Sequence, residues 1–317
     1  MNPNNQIHLG IAIDQNYVTL FYVLLTSVFD NNKRHKIVVH IIATGVSENE
    51  KTKMSHFMKE NNGEIFFYDF DNSQASDLYL KKHLTVACYY RLYLPALVPE
   101  KIEKLLYLDT DMVVIGDLLE LYNTDLTGWP AAIVNYADAD PKPELNVHNP
   151  GDYFNSGLML MNLSEWKKQN ISERAIEFVQ QNPTVCKLSD QDGLNAVLVG
   201  NYYKLPLKYN VTLSDIPQNL GKSKHKEYLK DKVVIHYTRG GHKPWKILGK
   251  NKFRYIYHDY LKKSPRRNEK KYSDFSFKPK TLFFFLKIRT EERIVDYPLA
   301  YKLYKKLVRK TSNSFKD

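Results

Sequence analysis

Between residues 7 and 14 the chain alternates without a break. Ile7, Leu9, Ile11 and Ile13 fall on one face, and His8, Gly10, Ala12 and Asp14 on the other. A period of two predicts a strand. The apolar stretch from Tyr17 to Phe29 predicts a buried helix. KIVVHIIATG (36–45) predicts a second strand. Ser47 with Glu50 forms a capping-box pattern that opens a helix to about Asn61. GEIFFYDF (63–70) predicts a third strand. A helix is expected near Val86 to Leu94, closed by Pro95. The strands KLLYL (104–108), AAIVNY (131–136) and FNSGLMLMNL (154–163) follow, with helices near Glu165 to Gln181 and Gln191 to Val199. KVVIHYT, ending near Thr238, is the last strand candidate. Strands alternating with helices predict an α/β fold, a mostly parallel sheet with helices on its faces. Past about Asn251 the chain turns aromatic and basic, with Pro265 and Pro279 as breaks. The expected division is a main domain, 1–250, and a basic extension, 251–317.

Composition narrows the class. The 317 residues are 43% hydrophobic, enough for a substantial core. Two cysteines, Cys88 and Cys186, suit a reducing compartment better than a disulfide framework. The first ten residues lack a signal-peptide pattern, and no run approaches the roughly 18 apolar residues of a membrane span. Asn-x-Ser/Thr triplets at Asn162, Asn170 and Asn210 therefore carry no weight as glycan sites. The net charge of +11 favours phosphate-rich partners: nucleic acid, an anionic membrane or a phosphorylated substrate. No nucleic-acid module is recognisable, so nucleic acid is not expected as a partner.

The candidate chemistry lies in KLLYLDTDMVVIGDL (104–118), where an apolar run meets two aspartates and then resumes. In an extended chain, residues i and i+2 point the same way, roughly 6.5–7 Å apart. Asp109 and Asp111 can then share one positive partner, such as a hard divalent cation that keeps positions open for substrate phosphates. Asp-x-Asp is common by itself, and Asp69/Asp71, Asp138/Asp140 and Asp190/Asp192 repeat it. Only Asp109/Asp111 emerges directly from a strongly apolar strand. Ligands of open α/β sheets bind beyond the carboxyl ends of the strands, where Asp14, the aspartate pair and His236 should converge.

Six segments in order extend the argument: AIDQNY (12–17), YYRLYLP (89–95), LLYLDTDMVV (105–114), YFNSGLMLMNL (153–163), LSDQDGLN (188–195) and IHYTRGGHKPW (235–245). Together they resemble the family 8 glycosyltransferases, within which the chain looks most like bacterial sugar transferases of the lipopolysaccharide core. The resemblance implies a retaining, metal-dependent enzyme with one nucleotide-sugar-binding domain of the GT-A type. A basic, aromatic, mainly helical C-terminal extension follows it, and YLKKSPRR (260–267) stands where that extension begins. It implies transfer of glucose or galactose from a UDP-sugar to a saccharide or glycolipid acceptor. Capsular, teichoic acid or protein acceptors are the alternatives within the family.

The resemblance also assigns roles. Ala12, Asp14, Asn16 and Tyr17 would hold uridine; small Gly10 and Ala12 leave room for a flat base, and Tyr17 can stack on it. Asp14 could equally serve an ordinary strand-to-helix turn. Asp109, Asp111 and His236 would ligate Mn²⁺ or Mg²⁺, with Thr110 between the acids at the donor. Arg91 either orients the donor and the metal-site acids or is a structural arginine paired at the core edge. Asn155 and Ser156 would line the donor sugar. Asn135 stands where many relatives carry aspartate and keeps an acceptor oxygen without the charge. Asp190 would meet a sugar hydroxyl and Gln191 its reactive face, while Ser189 and Asp192 fit a helix-capping pattern. Lys243 would meet the diphosphate, with Gly240 or Gly241 allowing close backbone approach. From His236 to Lys243 the chain has one residue more than the family pattern, Arg239 or a neighbour being the insertion.

The tail follows a different logic. Leu299, Leu303 and Leu307, with Ala300, Tyr304 and Val308, form an apolar stripe flanked by Lys302, Lys305, Lys306, Arg309 and Lys310. That pattern predicts an interfacial helix on an anionic leaflet, and a cytoplasmic protein peripheral to the inner face of the cell membrane. A helix packed on the main domain would show the same stripe.

Overall fold

A computed structural model describes residues 6–70, 89–238 and 240–313, with side chains through Lys306. β1 (Gln6–Asp14) passes through a 3-10 turn into α1 (Val18–Asn31), followed by β2 (Lys36–Thr44), α2 (Glu48–Glu60) and β3 (Glu64–Tyr68). Ser47 caps α2, its side chain accepting from the Glu50 amide. β1, β2 and β3 pair in parallel. α3 (Tyr90–Leu97) leads to β4 (Lys104–Leu108), which joins β1 in parallel. Then come β5 (Met112–Val114), α4 (Leu119–Tyr122), β6 (Ala131–Asn135) and β7 (Phe154–Asn162). α5 (Leu163–Lys168), α6 (Ile171–Gln181), α7 (Asp190–Leu198), β8 (Tyr203–Lys204), α8 (His225–Leu229) and β9 (Val234–His236) complete the main domain. The extension forms α9 (Arg254–Lys263), α10 (Pro279–Ile294) and α11 (Pro298–Asn313).

The main sheet has seven strands in the order β3-β2-β1-β4-β7-β6-β8. β7 runs antiparallel to β4 and β6, so the sheet is mixed. Both faces are covered, which is why its strands read as continuous apolar runs. Leu106 and Leu108 of β4 join a core with β1 and α1, while Leu105 and Tyr107 join another with Trp166 and the α6 residues Ile171 and Ala175.

Four details depart from the sequence reading. Pro95 lies inside α3, which runs on to Leu97, and residues 86–88 of the expected helix lie outside the described residues. The helix expected over 165–181 is two, because Asn170 takes a left-handed backbone conformation between α5 and α6. β9 is not in the main sheet; it pairs antiparallel with β5, Met112 opposite His236. Gly10 makes room for protein, since a side chain there would strike Leu94 of α3 and Leu105.

The small sheet has its own core. Val113, Ile235 and Tyr237 pack with Leu20 and Val23 of α1 and with Phe253, Tyr257 and Leu261 from around α9. Burying an aromatic of that size contributes roughly 1.5–3 kcal/mol, so α9 is integral to the domain. α10 buries Ile288 against the domain, whereas α11 is peripheral. Tyr301 and Tyr304 of α11 hydrogen-bond back to Glu291 and the Lys287 carbonyl of α10, leaving Leu299 and Leu303 81% and 63% exposed.

Candidate active site

β4 ends at Leu108 and β5 begins at Met112. Asp109, Thr110 and Asp111 form the turn by which the chain leaves the main sheet for the small one, so the carboxylates converge through a turn rather than an extended strand. The turn is pinned at both ends: the Asp109 amide donates to the Gly157 carbonyl (2.8 Å) and the Tyr237 amide to the Asp111 carbonyl (2.9 Å). One ligand atom each from Asp109, Asp111 and His236 lie within 4.8 Å of one another. His236 Nε2 is 3.0 Å from Asp111 Oδ1 and 3.9 Å from Asp109 Oδ2. Lys243 Nζ donates to the other Asp111 oxygen. Burial alone would raise the Asp111 pKa, but Lys243 and His236 outweigh it and hold the carboxyl well below the usual range.

A chain of hydrogen bonds anchored on backbone amides fixes every orientation nearby. The Gly157 amide donates to Asn155 Oδ1 (3.1 Å), which sets the Asn155 amide. Asn210 Nδ2 donates to the same oxygen (3.1 Å), so Asn210 Oδ1 faces His236 Nδ1 at 3.0 Å. His236 therefore carries a proton on Nδ1 and presents Nε2 to the aspartates, as a metal-ligating histidine with an oriented partner does. Asn155 Nδ2 and the Ser156 amide donate to Gln191 Oε1 (3.0 and 3.2 Å), and Gln191 Nε2 donates to the Tyr153 hydroxyl (2.8 Å). Two carboxylates and an imidazole are a suitable donor set for Mn²⁺ or Mg²⁺.

Arg91 ties the two acidic groups together. It pairs with Asp109 through Nη2 (3.0 Å) and with Asp190 through Nε (2.8 Å), and Nη1 donates to the Ser156 carbonyl and hydroxyl (2.7 and 3.0 Å). Its guanidinium lies over the Tyr107 ring, 4.8 Å from the centroid, and the Tyr107 hydroxyl donates to Asp109 (3.2 Å).

Residues 8–249 match the model for glycosyl transferase family 8. The chain belongs to this family. It is a glycosyltransferase, related to enzymes of lipopolysaccharide synthesis. It is 30% identical over 255 residues to lipopolysaccharide 1,2-glucosyltransferase of Escherichia coli K12, covering 77% of this chain and 74% of that protein. It is 29% identical over 275 residues to general stress protein A of Bacillus subtilis, covering 82% and 95% of the two chains. The fold matches that of the galactosyltransferase LgtC, solved with donor and acceptor sugar analogues: TM-score 0.70, 24% identity, 82% of this chain and 96% of that one. The family resemblance and the expected GT-A fold are borne out.

Around this family 8 centre, the remaining candidates sort by position. Asp14 accepts from the Asn16 amide (2.7 Å) and caps the turn after β1, as an ordinary strand-to-helix residue does. Tyr17 is 43% exposed beside it. Burial, then the charge of Asp111, raises the Tyr17 pKa, and Lys243 opposes this. Ala12 is half-buried at the β1 end, and Thr110 is buried. Asn135, at the end of β6, donates to the Gly151 carbonyl (2.7 Å) and the Tyr202 hydroxyl (2.6 Å), and its buried Oδ1 has no partner among the described residues. Gly240 is exposed; a side chain at Gly240 or Gly241 would meet nothing within 4 Å. Arg239 lies outside the described residues.

The capping pattern at Ser189 takes another form. Ser189 sits at φ 43° and makes no side-chain cap. Asp192 turns inward, accepting from the Tyr153 hydroxyl (2.6 Å) and the Leu188 amide (2.7 Å). Three contributors were not singled out from sequence: Asn210, Tyr153 and Gly157. A Cβ at Gly157 would stand 2.5 Å from both Asp109 Oδ2 and His236 Cε1, so only glycine lets these groups meet. Asn210 carried no signal beyond its place in an Asn-x-Thr triplet given no weight as a glycan site.

Proposed function

We propose that this chain transfers glucose or galactose from a UDP-sugar to a hydroxyl of a saccharide or glycolipid acceptor, with retention, in lipopolysaccharide core or related cell-surface glycan synthesis. The observation that carries this reading is the convergence of Asp109, Asp111 and His236 from segments 125 residues apart, with Lys243 on the same carboxylate. The likeness to a lipopolysaccharide glucosyltransferase supports the hexose and the acceptor class.

Asp109, Asp111 and His236 would hold Mn²⁺ or Mg²⁺, which supplies positive charge against the diphosphate of departing UDP. Lys243 adds a second cation by exchanging Asp111 for a phosphate oxygen, and such electrostatic stabilisation is usually the largest contribution at sites of this kind. Ala12, Asp14, Asn16 and Tyr17 take the uridine, with Thr110 and Gly240 along the diphosphate. Arg91 orients Asp109 and Asp190 together. Asn135, Asn155, Ser156 and Asp190 read the sugar, the unpartnered Asn135 oxygen accepting from a hydroxyl. Gln191 lies at the reactive face. Its amide is a poor nucleophile and Asp192 is engaged elsewhere, so the acceptor attacks from the leaving-group face and the departing phosphate takes its proton.

Residues 1–250 form the catalytic unit in this reading, with α9 packed into it, and the rest of the basic extension 251–317 serves surface attachment. No helix among the described residues is long and apolar enough to cross a membrane. Leu299 and Leu303, exposed among lysines, dock α11 on an anionic leaflet at the inner face of the cell membrane. Replacing both by serine abolishes salt-sensitive binding to anionic vesicles; unchanged binding refutes the attachment.

The deciding experiment measures UDP release from a panel of UDP-sugars, with Mn²⁺ or EDTA, for wild type and Asp109→Ala. Mn²⁺-dependent release from one hexose donor, absent in the variant, is expected. Absence of both turnover and metal-dependent UDP binding in the wild type would overturn the reading.

A further inference from the structure

Lys243 begins a tight loop wound on itself. The Lys246 amide donates to the Lys243 carbonyl (3.1 Å) and the Gly249 amide to the Lys246 carbonyl (3.0 Å). Gly249 packs so closely that a Cβ would stand 2.2 Å from the Lys243 carbonyl oxygen. The backbone position of Lys243 thus depends on where Gly249 is held.

The extension holds it. Arg289 of α10 donates from Nη2 to the carbonyls of Ile247 (3.1 Å) and Gly249 (3.3 Å), and from Nη1 to Glu292 (2.7 Å). Glu292 also receives Arg254 of α9 in a two-pronged pair (2.9 and 2.7 Å), and Arg254 reaches the Gly249 carbonyl at 3.4 Å. The side chains of Arg254, Arg289 and Glu292 are each no more than 15% exposed. Ahead of α10, Asp274 accepts from the Ile247 amide (2.8 Å), and the Ser273 amide donates to the Trp245 carbonyl (2.9 Å). A shielded guanidinium–carboxylate fork has essentially one geometry, so it passes a fixed position to the carbonyls it holds.

We propose that Arg289 and Glu292 are positioning residues for glycosyl transfer: from beyond the family-matched segment they fix the 243–249 loop and hence the backbone from which Lys243 reaches the site. The inference rests on the reading of Lys243 as the cation that meets the leaving diphosphate. It makes the extension part of the catalytic apparatus as well as a surface attachment.

Two measurements test it. In the first, Arg289→Ala lowers kcat/KM for UDP-hexose about tenfold or more, chiefly through kcat, because leaving-group stabilisation is realised in the transition state. Made in a Lys243→Ala background, the same change costs less than about twofold, since residues acting through one another are not additive. Arg289→Lys restores only part of the loss, one ammonium being unable to span two carbonyls and Glu292. In the second, hydrogen–deuterium exchange of full-length Arg289→Ala rises in peptides covering 243–250, while peptides from β1 and β4 keep the wild-type rate. If Arg289→Ala unfolds α10, Asp274→Ala removes one exposed anchor and should show the same pattern at smaller size. A full, multiplicative loss in the Lys243→Ala background, or unchanged exchange at 243–250, overturns the proposal. Absence of both UDP release and metal-dependent UDP binding in the wild type would instead overturn the donor reading, and the exchange measurement would still decide whether Arg289 holds the loop.

Discussion

Two Asp-x-Asp triplets border the same site, one on a turn between two strands and the other on the first turn of a helix. At Asp109–Thr110–Asp111 the turn brings both carboxylates to His236, and both stay accessible from the site. At Asp190–Gln191–Asp192 the helix rotates each residue about 100° from the last, so the two aspartates point to opposite sides. Asp190 meets Arg91 at the site, whereas Asp192, 1% exposed, turns into the core to receive Tyr153 and the Leu188 amide. A third triplet, Asp138 and Asp140, lies on an exposed loop. Asp71 of the fourth is outside the described residues. Identical spacing becomes a ligand pair, a divided pair or a solvated loop according to the element beneath it.

The comparison can be broken most directly at the first triplet. Asp111→Asn should lower metal-dependent turnover by about 10³-fold, the scale of losing a central electrostatic contributor, with the unfolding midpoint near wild type. Next comes the glycine that lets the acids and imidazole approach. Gly157→Ala should weaken Mn²⁺ binding by about tenfold to a hundredfold, the range for disturbing groups that orient ligands, in a titration followed by calorimetry. Wild-type affinity in that variant would show that the close approach is unimportant. The second triplet should behave inversely: Asp192→Asn costs about 1–3 kcal/mol of stability by weakening buried hydrogen bonds, while turnover per folded molecule changes little. A catalytic loss as large as that of Asp111→Asn would erase the distinction.

A pH titration separates general acid sensitivity from the chemistry of either triplet. Burial lowers the pKa of His40 to about 4, His8 adding to the shift, and burial first, then Lys271, lowers His258 to about 4. Both histidines are held neutral in the fold, and the unfolded chain binds their protons first. Their contribution is fully present above pH ~6.5 and is lost as pH falls towards ~4. The thermal midpoint should decline across that window with Asp109→Ala as steeply as with wild type. A flat midpoint would remove the assignment.

The parallel half of the sheet was legible because β1 alternates with a period of two and β2 and β4 are near-continuous apolar runs, as strands covered on both faces are. The Asp109–Asp111 and His236 cluster was legible through family resemblance, since spacing alone also fits the triplet that divides. What was not legible depends on tertiary partners. Asn170 breaks a helical pattern by a backbone conformation that asparagine tolerates. Pro95 is accommodated within α3, although proline usually ends a helix. Gly157 matters only because β7 passes under the turn after β4, and Asn210 because Gly157 and Asn155 set its amide. The hold of Arg289 on the Lys243 loop left no trace in the local pattern of α10; the membrane-surface expectation came from the apolar stripe of α11.

The pairing of β5 with β9 also sets an order of events during synthesis. The acidic pair leaves the ribosome first, and the imidazole follows 125 residues behind Asp111. At ~5–20 residues per second that interval lasts roughly 6–25 s. Through it, the nascent chain offers two carboxylates without their nitrogen partner. On the proposed reading, the full donor set for a divalent ion is therefore one of the last features the chain acquires.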